Sequence, residues 1–275
     1  MRYRGFRLLI VPAGLLAAGL ALAAPQGRTD AELVQPEMTP LVELERCVPE
    51  STKGQCARIK LTMELSGIDW LDHALLRQLS PEVSDSSSAT LAQQIAGLQQ
   101  QAADWLNESY ATVQATTAAD QRSMVSYERI RQQRFVYQRA NLAFYRQLDY
   151  DYSGGAHGMY ASQYLLFDLN TQRRLQLKDI VLPNSEIKLA TALRDLYLQE
   201  YSELAENWLP ATEQEQLDAM LVDNFVFTDD GLTFIYPLYQ LAPYSFGEVR
   251  LKLDSHSLQG LLQPQYSFGY SERVE

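Results

Sequence analysis

The alternation of apolar and polar residues divides the chain into distinct elements. Leu8 to Leu22 is an apolar run broken only by Pro12, Gly14 and Gly19. From Ala57 to Leu65 the period is two: Ile59, Leu61 and Met63 alternate with Arg58, Lys60 and Thr62. That spacing belongs to a half-buried strand, and it predicts a strand pair over about 42–66. Ile68 to Leu79 can form a short helix. Ser80 to Ser88 is a serine- and acid-rich loop. Thr90-Leu-Ala-Gln93 is a capping-box sequence. Leu91, Ile95, Leu98, Ala102 and Trp105 follow at spacings of four and three. This stripe predicts an amphipathic helix over about 90–113, with its apolar side in the core.

From Ser123 the period returns to two. Val125 and Tyr127 begin one strand. Leu142, Phe144, Leu148, Tyr150 and Tyr152 share one face of the next, with Arg146 the exception. Tyr145, Gln147, Asp149 and Asp151 share the other. The strand ends at Ser153-Gly-Gly-Ala-His-Gly158, where Gly154, Gly155 and Gly158 permit backbone angles that other residues avoid. Another strand covers about 159–169, up to a turn at Asn170-Thr171, and a short one passes through Leu175 and Leu177. A helix starts at Pro183-Asn184-Ser185, with Ala190, Leu193, Tyr197, Tyr201 and Leu204 on one side. Glu213 to Leu221 reads as a second, shorter helix. Asn224 to Thr228, a turn at Asp229-Asp230-Gly231, and Leu232 to Tyr236 form a hairpin, since an acidic-Gly turn between apolar runs is its signature. Val249, Leu251 and Leu253 give a last strand, and Ser255 to Leu262 a closing helix. The expected class is α+β: a mixed or antiparallel sheet packed against helices.

Composition adds the compartment. Arg2, Arg4 and Arg7 precede the first apolar run, and Ala21-Leu22-Ala23 follows it with the small-x-small exit of a signal peptide over residues 1–23. The run of about 15 residues is short for a membrane span, which needs about 20. The expectation is an exported, periplasmic protein with no stable transmembrane anchor once the signal is cleaved. Residues 24–40 are polar and proline-containing, and read as a flexible leader. Cys47 and Cys56 are the only cysteines. In an oxidising compartment such a pair reads as one disulfide across a turn. The formal net charge of −11 argues against partners held by phosphate neutralisation, so nucleic acid is not expected.

Several motifs, taken together, carry a family resemblance. They are Tyr150-Asp-Tyr-Ser-Gly-Gly-Ala-His-Gly158, Phe167-Asp-Leu-Asn-Thr171, Leu177-Lys-Asp-Ile180, Asn224-Phe-Val-Phe-Thr-Asp-Asp-Gly-Leu232 and Phe234-Ile-Tyr-Pro-Leu-Tyr-Gln-Leu-Ala-Pro-Tyr-Ser-Phe-Gly247. In order and spacing they resemble the RsiV-like extracytoplasmic C-terminal domain family. That family includes an anti-sigma factor serving as a lysozyme receptor, and its domain also occurs near PdaC-type peptidoglycan deacetylases. The resemblance implies a C-terminal domain over 146–265, preceded by an α+β region over 41–145 and followed by a tail over 266–275. The chain departs from the family pattern at Gln172, where glycine is usual, and at Gln240, where an acid is usual. In place of a cytoplasmic sigma-binding region it has a cleavable signal, so the sigma-regulating role does not carry over. What the resemblance implies is a non-enzymatic protein with a partner such as lysozyme or another basic envelope protein; the alternative is a peptidoglycan-acting, deacetylase-associated envelope protein, a peptidoglycan-modifying enzyme included, that binds cell-wall glycan.

The residues themselves offer little catalytic chemistry. The histidines are His73, His157 and His256. Asp72 beside His73, and Asp254-Ser255 beside His256, are neighbours in sequence but form no recognisable triad motif. His157 with Asp149 or Asp151 would be a thin metal set, because zinc takes three or four ligands. No metal, cofactor or catalytic residue is therefore expected. His157 either fixes its turn by hydrogen bonds or lines a partner groove. Tyr150, Tyr152, Tyr160, Tyr239 and Tyr244 complete the candidate binding set, since tyrosine offers an apolar body with a polar tip. Gly154, Gly155, Gly158, Gly231 and Gly247 are expected to be structural.

Overall fold

The computed structural model describes residues 32–49, 54–80, 89–119 and 125–267. The signal segment 1–23, the start of the leader and residues 268–275 of the tail lie outside them. Nine strands and six α-helices follow in the described residues. Strands β1 (Glu37–Cys47) and β2 (Cys56–Leu65) form an antiparallel hairpin in which Cys47 and Cys56 are register partners. The two cysteines are joined as a disulfide. Helices α1 (Asp69–Leu79) and α2 (Leu91–Ala119) then cross over to β3 (Tyr127–Arg139), which pairs with β2 in parallel. A parallel pair needs such a crossover. Strands β4 (Leu142–Tyr152), β5 (Met159–Asp168) and β6 (Arg173–Leu175) extend the sheet antiparallel, in the order β1-β2-β3-β4-β5-β6. After α3 (Leu177–Ile180), α4 (Glu186–Glu200), α5 (Ser202–Trp208) and α6 (Glu213–Met220) comes a second antiparallel sheet. Its strands are β7 (Phe225–Thr228), β8 (Gly231–Tyr236) and β9 (Val249–Asp254). The class is α+β, as the periodicities predict.

The period-two pattern places two cores on the two faces of the large sheet. Ile59, Leu61 and Met63 of β2 and Ala143 and Tyr145 of β4 pack with Leu71, Leu75, Leu98 and Ala102 of the crossover helices. Leu142 and Phe144 point the other way. They pack with Leu189 and Leu193 of α4 and with Phe225, Phe227, Phe234 and Leu251 of the small sheet. Tyr137 stacks on Phe144 at 4.3 Å and donates its hydroxyl to the Phe227 carbonyl at 2.6 Å, tying the two sheets together. The boundary expected between residues 145 and 146 falls within β4, whose two faces serve the two cores.

The structure corrects several boundaries. Strand β1 starts at Glu37, so residues 37–40 of the expected leader belong to the sheet. Helix α2 runs past 113 to Ala119. Leu177 lies in α3 rather than in a strand. The stripe from Ala190 to Leu204 breaks at Tyr201, whose ψ of 36° leaves the helical region between α4 and α5. Ser255 to Leu262 forms turns, not a helix. There the Asp254 carboxylate accepts from the Ser257 N–H at 2.7 Å, a local bond that competes with helix, and Gly260 sits at φ 69°.

Candidate functional site

Beyond Phe144 the side chains on its face of β4 are no longer fully buried. On that same face Arg146, Leu148, Tyr150 and Tyr152 follow one another toward the glycine turn, all of them half-buried. The turn then folds back through Gly154 at φ 88° and Gly155 at φ 95°, conformations that side chains strongly disfavour. The Tyr152 hydroxyl donates to the Gly155 carbonyl at 3.0 Å and anchors the turn. Gly158 plays a different part, for its constraint is space. It is buried, and a Cβ there would lie 2.5 Å from the Tyr150 ring.

The late aromatic motif arrives from the small sheet. The β8–β9 loop, through Glu248, and the start of β7, through Asn224, are fixed to β5 by side chains that satisfy backbone groups of Ser162 and Tyr164. Glu248 accepts from both the N–H and the hydroxyl of Ser162. Asn224 accepts from the Tyr164 N–H and donates to the Ser162 carbonyl, each at 2.8 Å. So positioned, Tyr244 stacks on His157 with ring centroids 3.8 Å apart and donates to the Gly158 carbonyl at 2.9 Å. Tyr160 meets Tyr244 edge-on at 6.4 Å, and Tyr239 tilts against it at 6.0 Å. Gly247, at φ 78°, passes the Tyr160 hydroxyl so closely that a Cβ would come within 2.9 Å of it. Tyr239 is itself left-handed, at φ 66°, yet 46% exposed. A bulky residue in that region carries strain, which tends to collect at functional sites. Phe246 and Met159, 59% and 42% exposed, add apolar surface in the same two segments.

The six ring-bearing residues expected to bind thus form one shelf built from β4, the glycine turn with the start of β5, and the β8–β9 loop. Gly154, Gly155, Gly158 and Gly247 support it. Gly231 does not. It closes the β7–β8 hairpin, where a Cβ would lie 2.1 Å from the Leu253 carbonyl oxygen. Beside the shelf lies a polar groove of about 330 Å³, lined in part by Tyr150, Tyr152, His157 and Gly158, and by Arg58 and Glu128. Arg58 and Glu128 escape a reading of the sequence because the parallel register of β2 and β3, which makes them partners, leaves no local signal. Burial, helped by Glu128, pushes the Tyr150 phenol above its ordinary value, so it stays a hydrogen-bond donor at neutral pH. A larger apolar cavity of about 410 Å³, between Phe227, Leu258, Leu262 and Tyr266, lies apart from these rings.

The alternative chemistries find their residues occupied. Asp149 and Asp151 point to the α2 face, where Arg131 reaches Asp149 at 3.3 Å and Arg129 reaches Asp151 at 2.7 Å. Burial raises the Asp149 carboxyl above its usual range, against the Gln147 hydrogen bonds and the Arg131 charge. The Asp72 carboxylate accepts from the Ser66 N–H at 2.5 Å, and His73 pairs with Gln94 at 2.7 Å. His157 Nδ1 lies 3.2 Å from the Gly158 carbonyl oxygen, so the turn-fixing and groove-lining roles fall on one ring.

This geometry can be set beside known proteins. Residues 168–255 match the DUF3298 family, a family of proteins of unknown function. The DUF3298 span takes in Tyr239, Tyr244 and Gly247, and leaves out Tyr150 to Tyr160. Among solved structures the chain resembles a DUF3298 member from Bacteroides fragilis NCTC 9343, with TM-score 0.61 and 19% identity over 84% of this chain and 95% of that one. It also resembles a DUF3298 family protein from Pseudomonas aeruginosa PAO1, with TM-score 0.58 and 20% identity over 87% of this chain and 98% of that one. At such identity the likeness is one of fold. No curated protein matches the chain. No helix of the described residues is long and apolar enough to cross a membrane. Gln172 sits at φ 53° in the turn after β5, a left-handed conformation that glycine adopts most readily.

Proposed function

We propose that the chain is a non-enzymatic binding protein of the exported, periplasmic kind, with the aromatic shelf as its docking surface and a basic envelope-active protein such as lysozyme as its partner. The observation that carries this reading is the convergence of Tyr150, Tyr152, His157, Tyr160, Tyr239 and Tyr244 from three separate segments onto one surface. Tyrosine-rich patches with apolar neighbours such as Phe246 and Met159 are the composition of interface hot spots. The net charge of −11 favours a cationic partner by steering, an effect screened over about 8–10 Å at physiological salt. The likeness of the motifs to the RsiV-like family supports the same partner.

The test is the binding kinetics of the chain with a basic lysozyme at two salt concentrations, with a Tyr244→Ala variant alongside. Association should slow as salt rises, and Tyr244→Ala should speed dissociation by about tenfold or more. Absence of binding, or binding that ignores the substitution, sinks the reading. A second reading, cell-wall glycan, is favoured by the polar groove, where Arg58 and Glu128 face Tyr150 and Tyr152. Co-sedimentation with peptidoglycan that depends on Tyr152 would select it.

A further inference from the structure

Charges on the large sheet are arranged in complementary pairs across the strands. Glu45 faces Arg58 and Glu43 faces Lys60 between β1 and β2. Arg129 faces Asp151 and Arg131 faces Asp149 between β3 and β4. Asp168 faces Arg173 between β5 and β6. Four of these register pairs are also ion pairs, at 3.3 Å or closer. Between β3 and β4 one position breaks the rule. Arg134 lies directly opposite Arg146, and among the described residues no other cross-strand pair carries like charges. Like charges in that arrangement destabilise a sheet.

The surroundings do not relieve the conflict. Arg146 follows Phe144 on the same face of β4, at the margin of the core, and its Nε is buried with no hydrogen-bond partner. Among the described residues its guanidinium reaches only the Ser162 hydroxyl, at a long 3.5 Å. The nearest carboxylate in that chain of contacts, Glu248, is engaged by the Ser162 N–H and hydroxyl and by Arg250. Arg134 is exposed and has no ion-pair partner among the described residues. A half-buried guanidinium with an unused N–H is costly, and the fold has carboxylates enough to pair it, as the other positions show.

We infer that Arg134 and Arg146 form an oxyanion site on the open face of the sheet, which receives the carboxylate or phosphate group of a ligand. Guanidinium forks match both groups, which accept paired N–H bonds. Leu148 and Tyr150 continue the same face from Arg146, so the remainder of the ligand lies along β4 toward the shelf. Arg134 and Arg146 lie outside the six shelf residues, so the anion response and lysozyme docking can fail independently.

Thermal unfolding of the full chain tests it, with inorganic phosphate and succinate in separate arms against sodium chloride of equal ionic strength. The melting temperature should rise saturably with at least one anion, and which one responds names the group. Arg146→Met and Arg134→Met should each weaken that response by about tenfold or more in midpoint concentration. Without anion, Arg146→Met should melt at the same temperature as the parent or higher, because it keeps the stem and removes the unpaired charge. The inference is overturned if the parent shows no anion response, if both variants keep it, or if Arg146→Met melts markedly lower in chloride alone.

Discussion

On one face of the six-stranded sheet, Met63, Leu71, Leu75 and Tyr145 have no exposed surface beneath the crossover helices α1 and α2. On the other face, cover thins after Phe144, and Arg146, Leu148, Tyr150 and Tyr152 are only partly buried. Both faces obey the same period-two rule and both carry a core, but past Tyr145 the first gives way to ion-paired Asp149 and Asp151, and past Phe144 the second gives way to aromatic side chains. Only on the second do the glycine turn and the late aromatic loop gather at that partly covered end. The contrast separates two roles within β4. Residues up to Phe144 and Tyr145, with buried Gln147, hold the fold; the proposed docking role falls to Tyr150 and Tyr152 beyond them.

The largest expected effect breaks this comparison most directly. Leu75→Ala should cost about 2–5 kcal/mol, because it leaves a cavity under the sheet. Leu148→Ala, on the partly covered stretch, should cost less, about 1–2 kcal/mol, since part of its side chain stays in water and no closed cavity forms. Denaturant unfolding of both variants measures the difference. Equal losses would mean that the open face is as much a core as the closed one.

Next in size is the staple on the β1–β2 hairpin. Reducing the Cys47–Cys56 disulfide should lower stability by about 2–3 kcal/mol, the chain-entropy value for a short closed loop. Cys56 adjoins Arg58, whose guanidinium lies 3.6 Å from its sulfur and which also lines the polar groove. Reduction should therefore loosen the groove more than the small sheet, which hydrogen exchange of β2 against β8 can read. An equal change in both strands would deny the locality.

A smaller effect belongs to the C-terminal layer. Burial alone would raise the Asp179 carboxyl, but the hydrogen bond from the Gln176 N–H and the Arg173 guanidinium outweigh it and hold the group below its usual range. The folded state thus favours the ionised form. Its contribution is complete above the unfolded value near 4 and is lost as pH falls through the lower folded value. Asp179→Asn should remove up to about 1 kcal/mol at neutral pH and flatten the acid limb of stability below pH 4. A parent-like acid limb in the variant would assign that limb to other carboxylates.

The elements on both faces were largely legible, because a two-residue or 3.6-residue period needs only local sequence. Leu142 and Phe144 against Ala143 and Tyr145 announce a strand with two used faces. The glycine turn and the Asp229-Asp230-Gly231 hairpin were legible for the same reason. Long-range pairing was not: the parallel register that brings Arg58 beside Glu128, and the antiparallel one that sets Arg134 against Arg146, depend on a crossover of two helices. Ser255 to Leu262 misled because buried leucines at near-helical spacing also suit a run of turns stabilised by Asp254 and Gly260. The candidate tyrosines were legible as residues but not as a shelf, since only the Glu248 and Asn224 bonds to β5 bring their segments together.

The smallest expected effect on stability tests that shelf most selectively. Tyr239 holds a left-handed backbone at φ 66° with its ring tilted 6.0 Å from Tyr244. Asparagine tolerates this conformation better than a bulky aromatic. Tyr239→Asn should therefore leave stability unchanged or raise it by about 0.5–1 kcal/mol, by relieving strain. If the strained ring is kept for docking, the same substitution should weaken partner binding by about tenfold, a stability gain coupled to a functional loss. Unfolding and lysozyme-binding measurements on one preparation decide between the outcomes. A variant that loses stability would show that the ring props up the β8–β9 loop, and one that gains stability with binding intact would remove Tyr239 from the shelf while leaving His157 and Tyr244 within it.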